Sequence, residues 1–254
     1  MPHTISIINQ KGGVGKTTTA QALGAGLSLT GKKVLLIDLD PQGNLSRATG
    51  AATRGKTALE VITGKARAQE AIQTTPEAHI IAAGPGLGAD GILTRTGKEY
   101  RLVEALEPVK KKFDFIVIDC PPSLGVLSVN ALTASDYCIV PVQPDRFSLE
   151  ALGQFYDTFT AVKRYTNKAL EIMGVLITRY NGRSVLSREA AEMIADKARE
   201  MGTSIFTAKI REGIAVKEAQ MVSKSIFEYA PKSNAASDYM EFVKEVLHHA
   251  EKNI

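Results

Sequence analysis

The sequence predicts an α/β fold: a doubly wound, mostly parallel sheet with helices on both faces. Two observations predict it. Apolar, β-branched runs recur along the whole chain without polar alternation, as expected of strands buried on both faces. Between them lie stretches with 3.6-residue apolar periodicity, and strand–helix alternation of this kind builds a parallel sheet covered on each side. The 254 residues suit one large domain, spanning 1–254, and a composition 44% hydrophobic and 23% charged supports a sizeable core.

The strand runs are residues 5–8, 34–37, 80–83, 115–118, 137–142 and 172–177. A helix opens after the first run and extends to about Leu29. Residues 49–73 read as short helices, and the Gly/Pro-rich residues 84–91 as a loop. Leu102, Val103, Leu106 and Val109 mark one later helix, Leu152, Phe155, Tyr156, Phe159 and Val162 a second, and Leu186, Ala190, Met193 and Ile194 a third. A last helix, 239–252, places Met240, Phe242, Val243, Val246, Leu247 and Ala250 on one stripe. Its other face mixes Glu with Lys, where a membrane-surface helix favours Lys and Arg, so the stripe is expected to pack onto the domain. In this fold class, ligands sit beyond the carboxyl ends of the strands.

Several classes are disfavoured at once. Cys120 and Cys138 form no C-x-x-C pair, so two buried thiols are expected rather than zinc or a disulfide. No apolar run approaches the roughly 20 residues of a membrane span, and the first residues do not read as a secretion signal. A cytoplasmic protein is expected. The net charge of +4 and pI near 8.9 permit binding to DNA without demonstrating it.

Residues 9–18 read Asn-Gln-Lys-Gly-Gly-Val-Gly-Lys-Thr-Thr, between a strand run and a helix. That is the context of a phosphate-binding loop, or P-loop. Gly12, Gly13 and Gly15 let backbone N–H groups turn inward and approach phosphate oxygens without a Cβ in the way, and Val14 among them offers its backbone N–H as well. Thr17 and Thr18 open the helix, whose N-terminus adds its positive dipole end. Lys16 supplies a cation for the β- and γ-phosphates, and the Thr17 hydroxyl a ligand for Mg²⁺. ATP and Mg²⁺ are therefore the expected ligands. Asp119 ends one apolar run and suits a Mg²⁺-bound water. Asp38 ends another and suits the same metal site or a phosphate-sensing switch. Asp40 lies in a Pro-Gln-Gly turn, either facing the γ-phosphate or serving only as a turn acid.

The common P-loop has Gly at position 10; this chain has Gln10, and Lys11 precedes the glycines. The resulting Lys-Gly-Gly-x-Gly-Lys-Thr resembles the deviant Walker A box of the ParA/MinD family. Leu35-Leu36-Ile37-Asp38-Leu39-Asp40-Pro41-Gln42-Gly43-Asn44 resembles its second acidic box, and Phe115 to Ser123 its Walker B. Residues 123–152 and Ala230-Pro231-Lys232-Ser233 are similar to the ParA/Soj branch. The resemblance implies a P-loop ATPase in which Asp40 orients the attacking water and Lys11 reaches across a two-fold interface to the partner's phosphates. It implies an ATP-bound homodimer on non-specific double-stranded DNA, associated with the nucleoid, and a ParB-like centromere-binding adaptor that stimulates hydrolysis. Asn181 resembles the residue that reads adenine in related ATPases. With the loop beginning nine residues from the start, the compact form is expected, without the N-terminal helix-turn-helix domain of larger members.

For DNA, Arg183 matches a backbone-contacting position of partition ATPases, and Lys209, Arg211 and Lys217 bracket a second loop. There the chain departs from relatives, reading Arg211-Glu212-Gly213-Ile214-Ala215 instead of Pro-Arg-Asn-Val-Arg. The alternative readings are a MinD-like positioning ATPase on a membrane or protein surface, an electron-transfer ATPase like the nitrogenase iron protein, and a module that holds ATP without hydrolysis. The cysteine positions disfavour the electron-transfer reading, and Asp40 the module without hydrolysis.

Overall fold

The computed structural model describes residues 2–89, 91, 93–94 and 96–252. In chain order its elements are β1 (His3–Ile7), α1 (Lys16–Leu29), β2 (Val34–Asp38), α2 (Asn44–Ala48), α3 (Ala58–Ile62), α4 (Ala68–Ala71), β3 (Ile72–Thr74) and β4 (His79–Ile81). A 3-10 turn at Lys98–Tyr100 leads into α5 (Arg101–Lys110), β5 (Phe115–Asp119), α6 (Val126–Ala134), β6 (Tyr137–Val142), α7 (Phe147–Tyr165) and β7 (Glu171–Ile177). The chain closes with α8 (Val185–Glu200), α9 (Ile214–Met221), α10 (Ile226–Tyr229) and α11 (Asn234–Lys252).

One sheet runs in the order β3-β4-β2-β5-β1-β6-β7. Every neighbouring pair is parallel except β3 with β4. Alternate residues of the strands feed different cores. Leu35, Ile37, Ile116 and Ile118 pack on one face with Leu106, Phe155 and Ile194. Leu36, Phe115 and Val117 pack on the other with Leu23 and Leu27 of α1 and Phe242 and Val246 of α11. Both faces of the sheet are therefore dry, which explains why the strand runs carry no polar alternation.

The structure departs from the sequence reading in three places. Residues 49–73 do contain short helices, but the segment runs into β3, an antiparallel edge strand too short and too polar to register as a run. In α8 the buried face is Ser187, Ala191, Ile194 and Ala198, whereas Leu186 and Met193 are 77% and 53% exposed. Two sets offset by one residue both satisfy helical spacing there, and the small Ala191 and Ala198 let the helix approach the sheet. Finally, α11 begins five residues before Tyr239, where the Ser233 hydroxyl accepts from the Ala236 N–H. Its stripe packs on the domain as expected: Phe242, Val243, Val246 and Ala250 are buried, with Met240 and Leu247 partly covered beside them. Residues 84–89 form turns as expected, while residue 90 lies outside the described residues.

Candidate functional site

The strand ends place the chemistry. Asp119 closes β5 and stands in register with Ile7 of β1 on one side and Asp38 of β2 on the other. Two carboxyl groups and the loop leaving β1 therefore meet at the carboxyl ends of three central strands. Gly13 (φ 75°) and Gly15 (φ 91°) carry the left-handed turns that carry the loop into α1. A Cβ placed on Gly12 or Gly13 would meet nothing within 4 Å, so no protein atom crowds the loop at either position.

Contacts from distant elements brace that loop. Asn9 donates through Nδ2 to the Pro141 carbonyl (2.7 Å), and its Oδ1 accepts the Lys11 N–H (2.9 Å). Gln143 donates to the Gly13 carbonyl (2.7 Å), and the Thr178 hydroxyl at the end of β7 donates to the Val14 carbonyl (2.8 Å). Lys16 is buried and its ammonium donates to the Lys11 carbonyl at 3.0 Å. Lys11 turns its own ammonium to Asp145, 2.5 Å away, with the ring of Phe147 5.8 Å beneath.

The electrostatics call for a polyvalent ligand. Both oxygens of Asp119 are buried with no hydrogen-bond partner among the described residues. Burial, reinforced by the adjacent Asp38, pushes its carboxyl well above the usual range, and the nearby Thr17 hydroxyl offsets part of this. Burial likewise raises Asp38 to about 6, against the hydrogen bonds it accepts from Ser46 and from the Asp40 N–H. Burial depresses Lys16. A divalent cation beside Asp119 and Thr17 would compensate the orphaned carboxylate, and phosphate oxygens would compensate the desolvated lysine. Among the described residues no group of three or more His, Cys, Asp or Glu could hold a metal, so a cation here needs ligands from the bound molecule as well.

A cavity of about 540 Å³ contains the loop, lined by Gly12, Lys16, Thr17, Asp40 and Arg47 among others. Asp40 is nearly buried at its wall, its Oδ1 accepting the Gln42 N–H (2.9 Å). A second cavity of about 880 Å³ adjoins it, lined by Thr178, Asn181, Arg183, Arg211 and Lys217. The Asn181 Oδ1 accepts the Arg183 N–H (3.0 Å), which leaves its Nδ2 without a partner among the described residues. Three of the four basic residues expected at DNA, Arg183, Arg211 and Lys217, thus line one cleft. Arg211 is committed to Asp238 through its Nη2 (2.6 Å) and Nε (2.9 Å), and Lys209 sits 4.9 Å over the Tyr180 ring. Both cysteines are free and buried, their thiols pushed up by burial.

Sequence reasoning missed Asn9, Gln143, Asp145, Thr178, Arg47 and Gln220. Asn9 carried a local signal, an Asx-type residue directly after a strand. The others reach the loop only through the sheet order.

An AAA domain family model matches residues 2–172. The sporulation initiation inhibitor protein Soj of Bacillus subtilis is 40% identical over 97% of this chain and 98% of its own length. The chromosome partitioning protein ParA of Caulobacter vibrioides is 40% identical over 96% of this chain and 94% of its own. Among solved structures, cobyrinic acid a,c-diamide synthase from Mycobacterium smegmatis with bound ADP and magnesium superposes with a TM-score of 0.87 at 35% identity, covering 100% of this chain and 97% of that one. The deviant loop, the paired acids at the strand ends and this near full-length likeness place the chain in the ParA/Soj family of P-loop ATPases.

Proposed function

We propose that this chain is an ATP-dependent DNA-partition ATPase that binds ATP with Mg²⁺, pairs into a sandwich dimer, holds DNA without sequence preference and hydrolyses the nucleotide. The observation that carries this reading is the open phosphate loop beside an orphaned Asp119 and a cavity-lining Asp40. A shared fold does not select the function. The full-length likeness to Soj and ParA, together with the deviant loop, favours partition over the synthase chemistry of the structural relative.

In this reading the loop N–H groups and Lys16 hold the β- and γ-phosphates. Thr17 and Asp119 hold Mg²⁺, with Asp38 behind them, and the bound cation neutralises phosphate charge. Asp40 orients the attacking water, and Lys11 swings from Asp145 to the phosphates of the partner. Asn181 faces the base from the second cavity. Arg183 contacts the DNA backbone, with Lys209, Arg211 and Lys217 near it. A ParB-like adaptor supplies the stimulus for turnover. No helix among the described residues is long and apolar enough to cross a membrane, and α11 spends its stripe on the domain, so DNA is favoured over a lipid surface.

Substituting Asp40→Ala tests the reading, because positioned water serves the transition state more than the ground state. ATP binding should persist while turnover falls by roughly a hundredfold or more, within the usual contribution of a positioned acid or base. The ATP dimer should accumulate in sedimentation. Wild-type turnover in this variant would overturn the assignment.

A further inference from the structure

The two cavities share Gly15, Thr18, Arg179, Lys217 and Gln220. A ligand with phosphates on the loop and its remaining part in the second cavity must cross this seam. In a nucleoside polyphosphate the crossing group is the α-phosphate and sugar. Arg179 and Lys217 are the two cations at the seam, and Lys217 was expected only at DNA.

Three observations point to a ligand for them. First, neither has a carboxylate partner among the described residues, whereas Lys11 is paired with Asp145 and Arg211 with Asp238. Second, Arg179 has a left-handed backbone (φ 50°), a conformation found in only one other non-glycine residue among those described. That strain costs about 1 kcal/mol or more and is held from both sides. Before it, Thr178 is anchored to the Val14 carbonyl; after it, the Tyr180 N–H donates to the Ile210 carbonyl (2.9 Å). Third, Gln220 donates to the Thr18 hydroxyl (2.9 Å), tying α9 to the first turn of α1. Lys217 lies three residues earlier on α9 and so shares that face.

Resting on the reading of the loop as a nucleotide site, we propose that Arg179 and Lys217 form a second phosphate-binding wall opposite the loop, closing on the α- and β-phosphates. Lys16 holds the distal phosphates from within the loop; Arg179 and Lys217 hold the proximal ones from β7 and α9. Ligand charge thereby draws α9 toward the site, and Gln220 must share Thr18 with the nucleotide. This reassigns Lys217, placed near the DNA above, to the nucleotide together with Arg179, and leaves Arg183 as the DNA contact.

Calorimetric titration of the full chain with Mg-ADP tests this, because ADP probes the site apart from turnover. Arg179→Met and Lys217→Met should each weaken ADP roughly tenfold, the order expected for a lost charge-assisted contact. Arg179→Lys and Lys217→Arg should recover most of it. Both side chains are exposed, so the fold should survive; Arg179→Gln or Lys217→Gln serves where the Met variant at that position loses its thermal transition. Lys16→Ala, which should abolish binding, reports on the loop separately. ADP affinity unchanged in both Met variants while Lys16→Ala binds none would overturn the wall and leave the loop assignment standing. Loss of duplex-DNA retention at full ADP affinity would overturn it too, returning the pair to a DNA surface. Wild-type chain that binds no ADP would overturn both readings.

Discussion

Lys11 and Asp145 stand 134 residues apart in sequence and form an ion pair within one protomer. Partial burial alone would raise the Asp145 carboxyl, but hydrogen bonds from Lys11 and Ser148 outweigh it and hold the group below its usual value. The lysine that distinguishes this loop from the common form is therefore engaged at home before any partner arrives. Releasing it should be easy. Half-exposed pairs of this kind are worth about 0.5–1 kcal/mol. Asp145→Asn keeps the Oδ1 acceptor for Ser148 while removing the charge, and should tighten the ATP-bound dimer, lowering its dissociation constant several-fold. Lys11→Ala should abolish ATP-driven dimerisation and leave ADP affinity near wild type. Sedimentation with ATP, alongside an ADP titration, checks both. A parallel loss of ADP affinity in Lys11→Ala would remove the across-the-interface role.

Asp38 makes the pH dependence of the nucleotide-free protein informative. Its folded value is about 6, raised from 3.8 by burial. Between these values the folded chain binds more protons than the unfolded chain, so the contribution of Asp38 to stability falls as pH rises through that window. Thermal melts from pH 4 to 7 should show the wild type losing stability relative to Asp38→Asn as pH rises. A difference that stays flat would mean that Asp38 is ionised throughout.

DNA retention should require the ATP dimer, since two copies of a modest basic rim act together on one duplex. Arg183→Glu should weaken retention several-fold while ATP-driven dimerisation persists. The slope of log affinity against log salt should also become shallower, because fewer phosphates are neutralised. Nitrocellulose retention at several salt concentrations measures both quantities. An ATP dimer with no affinity for duplex DNA at low salt would turn attention to a membrane or protein surface.

Gly26 of α1 is a packing contact. A Cβ there would stand 2.6 Å from Val243 Cγ2 and 3.3 Å from the Phe227 ring. Helix propensity favours Ala over Gly by about 1 kcal/mol, but overpacking of a stiff β-branched neighbour costs about 1–3 kcal/mol. Gly26→Ala should therefore be destabilised by about 1 kcal/mol, a drop of roughly 2–4 °C in Tm for a chain of this size. A Tm at or above wild type would show that α11 can yield.

Much of this architecture was legible in the sequence because its signals are local. An unbroken apolar run needs both faces covered, and a glycine-rich turn between such a run and a helix has few uses. The six runs became β1, β2, β4, β5, β6 and β7, with ends shifted by a residue or two. Helix faces were less legible. Leu186 and Met193 obey the helical period and still point to solvent, since periodicity does not say which of two overlapping stripes meets the sheet. The braces of the loop were hidden for a different reason. Gln143, Asp145 and Thr178 reach it only because β6 lies beside β1 and β7 beside β6, an order no local pattern encodes.

The placement of the two cysteines has a practical consequence. Cys138 lies in β6 and Cys120 directly follows β5, the two strands that flank β1, and both side chains are fully enclosed. A thiol-modifying reagent can reach neither until the centre of the sheet opens. The native chain thus carries a built-in clock for global opening. Its labelling rate should slow as ADP rises, because a ligand that binds only the closed form lowers the population of the open one in proportion to its saturation of the site.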